Sequence, residues 1–318
     1  MQEIFGGIRE NAFLRIMLYG ELLSILVAMT WTVTALCAEV ASRRMGQLQM
    51  NLLRMAASLL ILCVTLWVAT GSPLPCAMSG EAWVWLLASG AVGYVFGDYC
   101  LFSSYVVMGS RTGQLFMTLA PLFSALAAWL LLHETLGLQA LAGMAVTLAG
   151  IGLVIEAPGE AGRGRTIPLK GILFGIGAAM GQGVGIVLSK VGMGLCGQTP
   201  LLPMAATMVR AMAGCAGFGV AYLLRGDAAR MREGLHDRRT MGAAAGAIIT
   251  GPVIGVSLSL LAVQLAPAGI ASTLMALTPV FILWPSRWLF GQRITAREVA
   301  GAVVACIGVA LFFLNIEL

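Results

Sequence analysis

The chain has 318 residues, of which 59% are hydrophobic and only 10% charged, with a mean hydropathy of +0.92. A soluble domain carries about 25% charged residues, so a water-soluble fold is excluded; apolar runs of roughly 20 residues recur instead, the length a helix needs to cross a bilayer. The net charge of +5 comes from loop arginines and reports membrane orientation rather than nucleic-acid binding. A β-barrel would need short alternating strands, which the sequence lacks, so the expected fold class is an all-α integral membrane protein.

In chain order, residues 1–20 hold Glu3, Arg9, Glu10 and Arg15. They are too polar for a signal peptide and read as an exposed or interfacial leader. Ten spans are expected. The first five cover 21–40, 50–70, 83–107, 112–132 and 137–155; the other five cover 171–190, 203–224, 241–264, 268–290 and 298–314. This gives a first five-helix unit at 21–155, a Gly- and Arg-rich linker at 156–169 and a second unit at 170–318, with a polar insert at 225–240. The seven cysteines contain no CxxC pair and mostly sit in apolar runs, as small core residues do. Cys76 and Cys196 fall in loops on one side, but spacing does not show that they meet.

The two units are copies. A shift of 158 positions carries Gly93, Gly97, Gly143 and Gly150 onto Gly251, Gly255, Gly301 and Gly308, and Pro121 onto Pro279, without a gap. Backbone geometry places such residues, so these matches outweigh shared leucines. Loops 1–2, 3–4, 5–6, 7–8 and 9–10 carry twelve arginines, among them Arg43, Arg44, Arg111, Arg230, Arg239 and Arg297, while the other loops hold almost nothing beyond Lys190. Only Arg9 and Arg15 in the leader argue the other way. The count puts both termini outside. Loop 2–3 is uncharged while its counterpart 7–8 is basic, and five spans per copy is an odd number. The copies are therefore expected to be inverted.

Asp98 lies inside the third span, where a carboxylate is costly unless paired or hydrated. It is about 15 residues from one face, roughly 22 Å, while Arg54 is about four residues, roughly 6 Å, from the other. In a core about 30 Å thick the two reach similar depth. They are expected to form an ion pair or to face one hydrated cavity, with protons as the candidate coupling ion. Asp98 maps onto Val256, so any acid chemistry is one-sided and Arg210 lacks a matching acid. Gln182, Ser257 and Gln264 are candidates to hydrogen-bond Arg210 or a solute. Pro121 and Pro279 bend their helices at matching positions, which in transporters points to the binding site. The expected walls are Trp31, Tyr94, Asp98, Gln114, Met117, Gln182, Ser272, Met275 and Thr278, a mixture suited to a part-apolar organic solute. Glu134 beside His133 reads as a helix-end contact. HExxH is not met, because Gly137 stands where the second His would be. Glycine pairs such as Gly177/Gly181 and Gly214/Gly217 read as close helix packing. No metal or cofactor motif is legible.

RTGQLFMTLAPLFSALAAWLLLHETLGLQALAGMAVTLAGIGLVI, from Arg111, resembles the signature of the EamA family of the drug/metabolite transporter superfamily. The matching pieces are Ala120–Pro121, the apolar run after it, Glu134 at its end, and Gly143 with Gly150. TLMALTPVFILWPSRWLFGQRIT resembles it more loosely, with Gln292 at the glutamate position and Pro285 and Arg287 interrupting the run. Trp31, Arg54 and Arg210 are weaker echoes. The resemblance implies a ten-helix inverted-repeat carrier of the cell (inner) membrane, moving small metabolites, amino acids or drugs, commonly outward, as a monomer or homodimer. It also implies cytoplasmic termini, against the arginine count. The readings from other classes are an intramembrane enzyme and a membrane receptor or scaffold. The sequence shows no paired catalytic acids and no Ser/His set for the first, and duplicated prolines have no purpose in the second.

Overall fold

A computed structural model of the chain describes residues 2–75, 78–132, 138–155, 167–196, 201–265, 274–291 and 294–313, with no strand among them. In hydrocarbon each backbone N–H and C=O must be bonded within the protein, and a helix does so locally. The helices are α1 (Gln2–Met45), α2 (Gln47–Thr70), α3 (Gly80–Met108), α4 (110–132), α5 (Leu138–Ile155) and α6 (Leu169–Gly194). They continue as α7 (Leu202–Arg225), α8 (Ala228–His236), α9 (238–265), α10 (278–290) and α11 (Ala296–Phe313). Six of them are each long and apolar enough to cross a bilayer: α1 from Leu18, α2, α3, α4, α6 and α7. α1 runs unbroken through residue 20, so leader and first span form one helix.

Helix ends follow local chemistry. Single glycines separate α1 from α2 and α3 from α4: Gly46 at φ 92° and Gly109 at φ 87°, a region that side chains with a Cβ rarely adopt. Ser79 caps α3 by accepting from Ala82 N–H at 3.2 Å. Asp227 caps α8, and Asp237 caps α9 by accepting from Thr240 N–H at 3.1 Å and from its hydroxyl at 2.5 Å. The Thr240 hydroxyl bond is the main reason the Asp237 carboxyl stays below the usual carboxylate range.

The irregular turns repeat. π-helix occupies Ala91–Asp98 in α3 and Ile249–Gly255 in α9, the same place under the 158-residue shift. Pro252 inside the second lacks a backbone donor and widens the turn. The first holds Tyr94 at that position. α4 narrows to a 3₁₀ turn at Met117–Leu119, just before Pro121. The helix before Pro279 breaks at 276–277, so each proline interrupts its helix one turn upstream.

The units are joined by helix pairs in which numbers rise along one partner as they fall along the other. In α5 and α11, Gly150 lies on the Ala305 and Gly301 backbone and Gly308 on Thr147 and Gly143. In α3 and α6, a Cβ on Gly181 would come within 2.5 Å of the Gly97 Cα. Ser89 there donates to Gly185 O at 2.6 Å. In α1 and α9, the Thr34 and Thr250 hydroxyls bond at 2.8 Å and Trp31 abuts Gly255. In α2 and α7, Met55 packs on Gly214. Association in lipid rests on such close van der Waals seams and on hydrogen bonds between helices.

Candidate functional site

α2, α3 and α6 bring four polar side chains together inside the bundle. Arg54 Nη2 donates to Asp98 Oδ2, and to Asn51 Oδ1 at 3.3 Å. Gln182 Nε2 donates to the other Asp98 oxygen at 2.8 Å and lies 3.4 Å from Gly93 O. The Arg54 guanidinium stands 4.7 Å above the Phe102 ring, which packs on Tyr105. Arg54 is 6% and Asp98 3% exposed. Each charge is thus removed from solvent and paired, the condition for keeping ions in such a place, although Arg54 Nε has no hydrogen-bond partner among the described residues. The π turn sets the direction of Asp98, its last residue.

About one turn back along α3 lies a second group. The Arg210 guanidinium of α7 sits 4.6 Å over the Tyr94 ring. Its Nε and the Tyr94 hydroxyl are buried with no hydrogen-bond partner among the described residues. Gln182 turns to Asp98 and not to Arg210.

The remaining expected residues divide. Gln114 donates to the Tyr105 hydroxyl at 2.7 Å, and Met117 packs on the core that contains Phe102 and Tyr105. These two therefore border the Arg54 group. Trp31 and Met275 share a separate apolar cluster with Val27 and Ala262, and the Thr278 hydroxyl bonds Met275 O at 2.9 Å. Narrow crevices, no roomier than a single water, flank the two prolines. One lies between Pro121 and Met144, Thr147 and Val309; the other lies between Pro279 and Arg111, Val154 and Ala302. Both open toward the α5–α11 pair, not onto Asp98. Ser272, His133, Glu134, Gln292, Cys76 and linker residues 156–166 lie outside the described residues, as do the side chains of Ser257 and Gln264.

The arginine-bearing ends of the helices are tied by ions. Arg111 Nη1 meets Glu298 Oε2 at 3.0 Å, and Arg111 Nε donates to Ser286 Oγ at 3.0 Å, linking α4 to α10 and α11. Glu39, 1% exposed, accepts from Ser110 N–H at 2.6 Å and pairs with Arg43 at 2.8 Å. Arg44 lies 3.7 Å from Asp237. Sequence reasoning counted Arg111 only as a loop charge and missed Glu39, Asn51 and Glu298. The cost of a carboxylate within a span was signal enough for Glu39; nothing local marks Glu298, whose partner is 187 residues away.

In the comparison with curated proteins no sequence matches significantly. The chain superposes on a crystal structure of another protein with a TM-score of 0.63 over 92% of this chain and 96% of that one, at 16% identity, a likeness of fold alone. The model of the EamA-like transporter family matches residues 18–156 and again 169–314. With helices that can span a bilayer, a doubled sequence and a family model met twice, the chain is a multi-pass membrane protein that belongs to the EamA-like transporter family.

Proposed function

We propose that this protein is a secondary carrier that moves a small organic solute by alternating access, with export the direction. Its ten spans form two inverted five-helix repeats, 21–155 and 170–318, joined by the linker 156–169. The antiparallel seams α5–α11 and α2–α7 support inversion, since counterpart helices of inverted copies must meet head to tail. The observation that carries the reading is the buried Arg54–Asp98–Gln182 cluster, built where helices of both repeats meet. Ionisable groups so placed line solute or ion paths far more often than they serve packing.

The ion ties at the arginine-rich end make this conformation closed there, and opening that side breaks Arg111–Glu298. By the arginine count, that end faces the cytoplasm and both termini lie outside. Solute binds between the two units, on a path bordered by Trp31, Tyr94, Asp98, Gln114, Met117, Gln182, Ser272, Met275 and Thr278. Pro121 and Pro279 supply the bends, and binding favours one open state over the other. Protons are the coupling ion and Asp98 their carrier.

Purified protein in proteoliposomes tests the carrier reading. A carrier shows counterflow of solute unchanged in chemistry; an enzyme alters the solute, and a receptor or scaffold binds it without movement. Either of the last two outcomes ends the proposal. Asp98→Asn tests coupling separately: transport should lose its dependence on a pH gradient. An unchanged rate and pH profile removes Asp98 from that role.

A further inference from the structure

The charges that meet between α2, α3, α6 and α7 do not balance. Asp98 pairs with Arg54 and also feels the Arg210 charge, so one carboxylate faces two guanidinium groups and a positive charge is left over. Among the described residues no carboxylate pairs with Arg210, and the copy-related position of Asp98 is Val256, which cannot supply one. Arg210 lies about eight residues, roughly 12 Å, into α7, well within the hydrocarbon depth. A guanidinium cannot shed its proton, so the charge persists in every state of the carrier.

The walls around Arg210 are mainly apolar, with the Gly181 carbonyl oxygen near its Nη2. Its Nε is buried without an acceptor, and the hydroxyl of Tyr94, a residue 6% exposed, is likewise unpartnered. The Tyr94 ring under the guanidinium offers only its π face. Gly93 lets the guanidinium press against the α3 backbone, since a Cβ there would stand only 3.0 Å from Arg210 Nη2. Met55, Ala211 and Phe218 close the apolar side around Tyr94. Arg210 Nε and the Tyr94 hydroxyl, both free to donate, beside a surplus positive charge match a group that accepts hydrogen bonds and is anionic. A cation would be repelled, and a neutral solute would leave the charge uncompensated.

Resting on the carrier reading, we propose that the solute is an organic anion, a carboxylate on an apolar body, and that Arg210 receives the carboxylate with Tyr94 donating a second hydrogen bond. Arg54 and Asp98 then stand beside it as the coupling pair, not as the binding charge.

Shape-matched charge series decide the matter on full-length protein in nanodiscs at pH 7: benzoate, benzamide and benzylamine; hexanoate, hexanamide and hexylamine; phenylpyruvate with its amide. The readout is a saturable rise in melting temperature. In at least one series the carboxylate should stabilise while its amide and amine do not. Arg210→Gln should weaken that binding by about 30-fold or more, the cost of leaving one partner of a buried charge pair alone. Arg210→Lys, which keeps the charge but loses the planar fork, should retain weakened binding. Tyr94→Phe, which keeps the ring, should weaken it about fivefold. If Arg210→Gln does not fold, the wild-type series and the other two variants carry the result. Saturable binding of an amide or amine in preference to its carboxylate overturns the proposal, as does unchanged carboxylate binding in Arg210→Gln or a silent response to every carboxylate. Counterflow separates the two readings: an amine that is carried independently of Arg210 leaves the carrier standing without its anion. A carboxylate that binds through Arg210 yet never crosses leaves the anion site without its carrier.

Discussion

Arg54 and Asp98 each hold the other in the bilayer core, and the energetics of such a pair are asymmetric. Removing one partner strands a buried charge at about 3–5 kcal/mol, whereas replacing both with apolar residues of similar volume is often neutral. Asp98→Leu and Arg54→Met should therefore each lower thermal stability in mild detergent sharply, and the double variant should recover most of the loss while transport stays abolished. A double variant as unstable as the sum of the two singles would show that the pair is not the unit. Depth along each helix was enough to suggest from sequence that the two could meet. The roles of Gln182 and Phe102 were not legible, because they depend on how α6 and α3 rotate about their axes, which no local pattern encodes. Glu39 lay within reach of the same rule about intramembrane carboxylates, and its bond to the Ser110 amide explains its burial.

At the scale of the helix, proline and glycine set the shape. The bends at Pro121 and Pro279 follow from a missing donor, a purely local cause, and their neighbourhood is irregular in both copies as that cause requires. The matched π turns are different: Pro252 accounts for one, but Tyr94 at the equivalent place has no such local cause. π turns cluster at functional positions, and this one aims both Tyr94 and Asp98. The α5–α11 seam gives a sharp contrast between two glycines of one helix. Gly150→Leu would drive a side chain into the backbone of α11 and should cost about 3 kcal/mol or more. A Cβ on Gly152 meets nothing within 4 Å, so Gly152→Leu should leave the melting temperature nearly unchanged. Equal effects of the two in a melting experiment would refute the close seam.

For the whole molecule, the ion ties predict how the closed end opens. Glu298→Gln weakens the link between α4 and α11, so a cysteine replacing buried Thr112 in a cysteine-free background should react with maleimide severalfold faster than in the otherwise unchanged protein. The reagent should need access from the cytoplasmic side. An unchanged rate would remove Arg111–Glu298 from the gate, and reaction from the outside would reverse the orientation. Composition and apolar run length were sufficient for the membrane class, because a bilayer imposes one length and one polarity on anything that crosses it. The copied glycines and prolines were sufficient for the doubled architecture, because backbone constraints persist at fixed spacing where side chains drift. Three-dimensional packing alone decided which polar groups touch: Asp98 finds Gln182 across 84 residues, Arg111 finds Glu298 across 187, and Arg210 finds an aromatic face instead of an acid. Periodicity tells a residue how deep it lies and to which helix it belongs, but the azimuth at which two helices meet is settled only when all their seams close together.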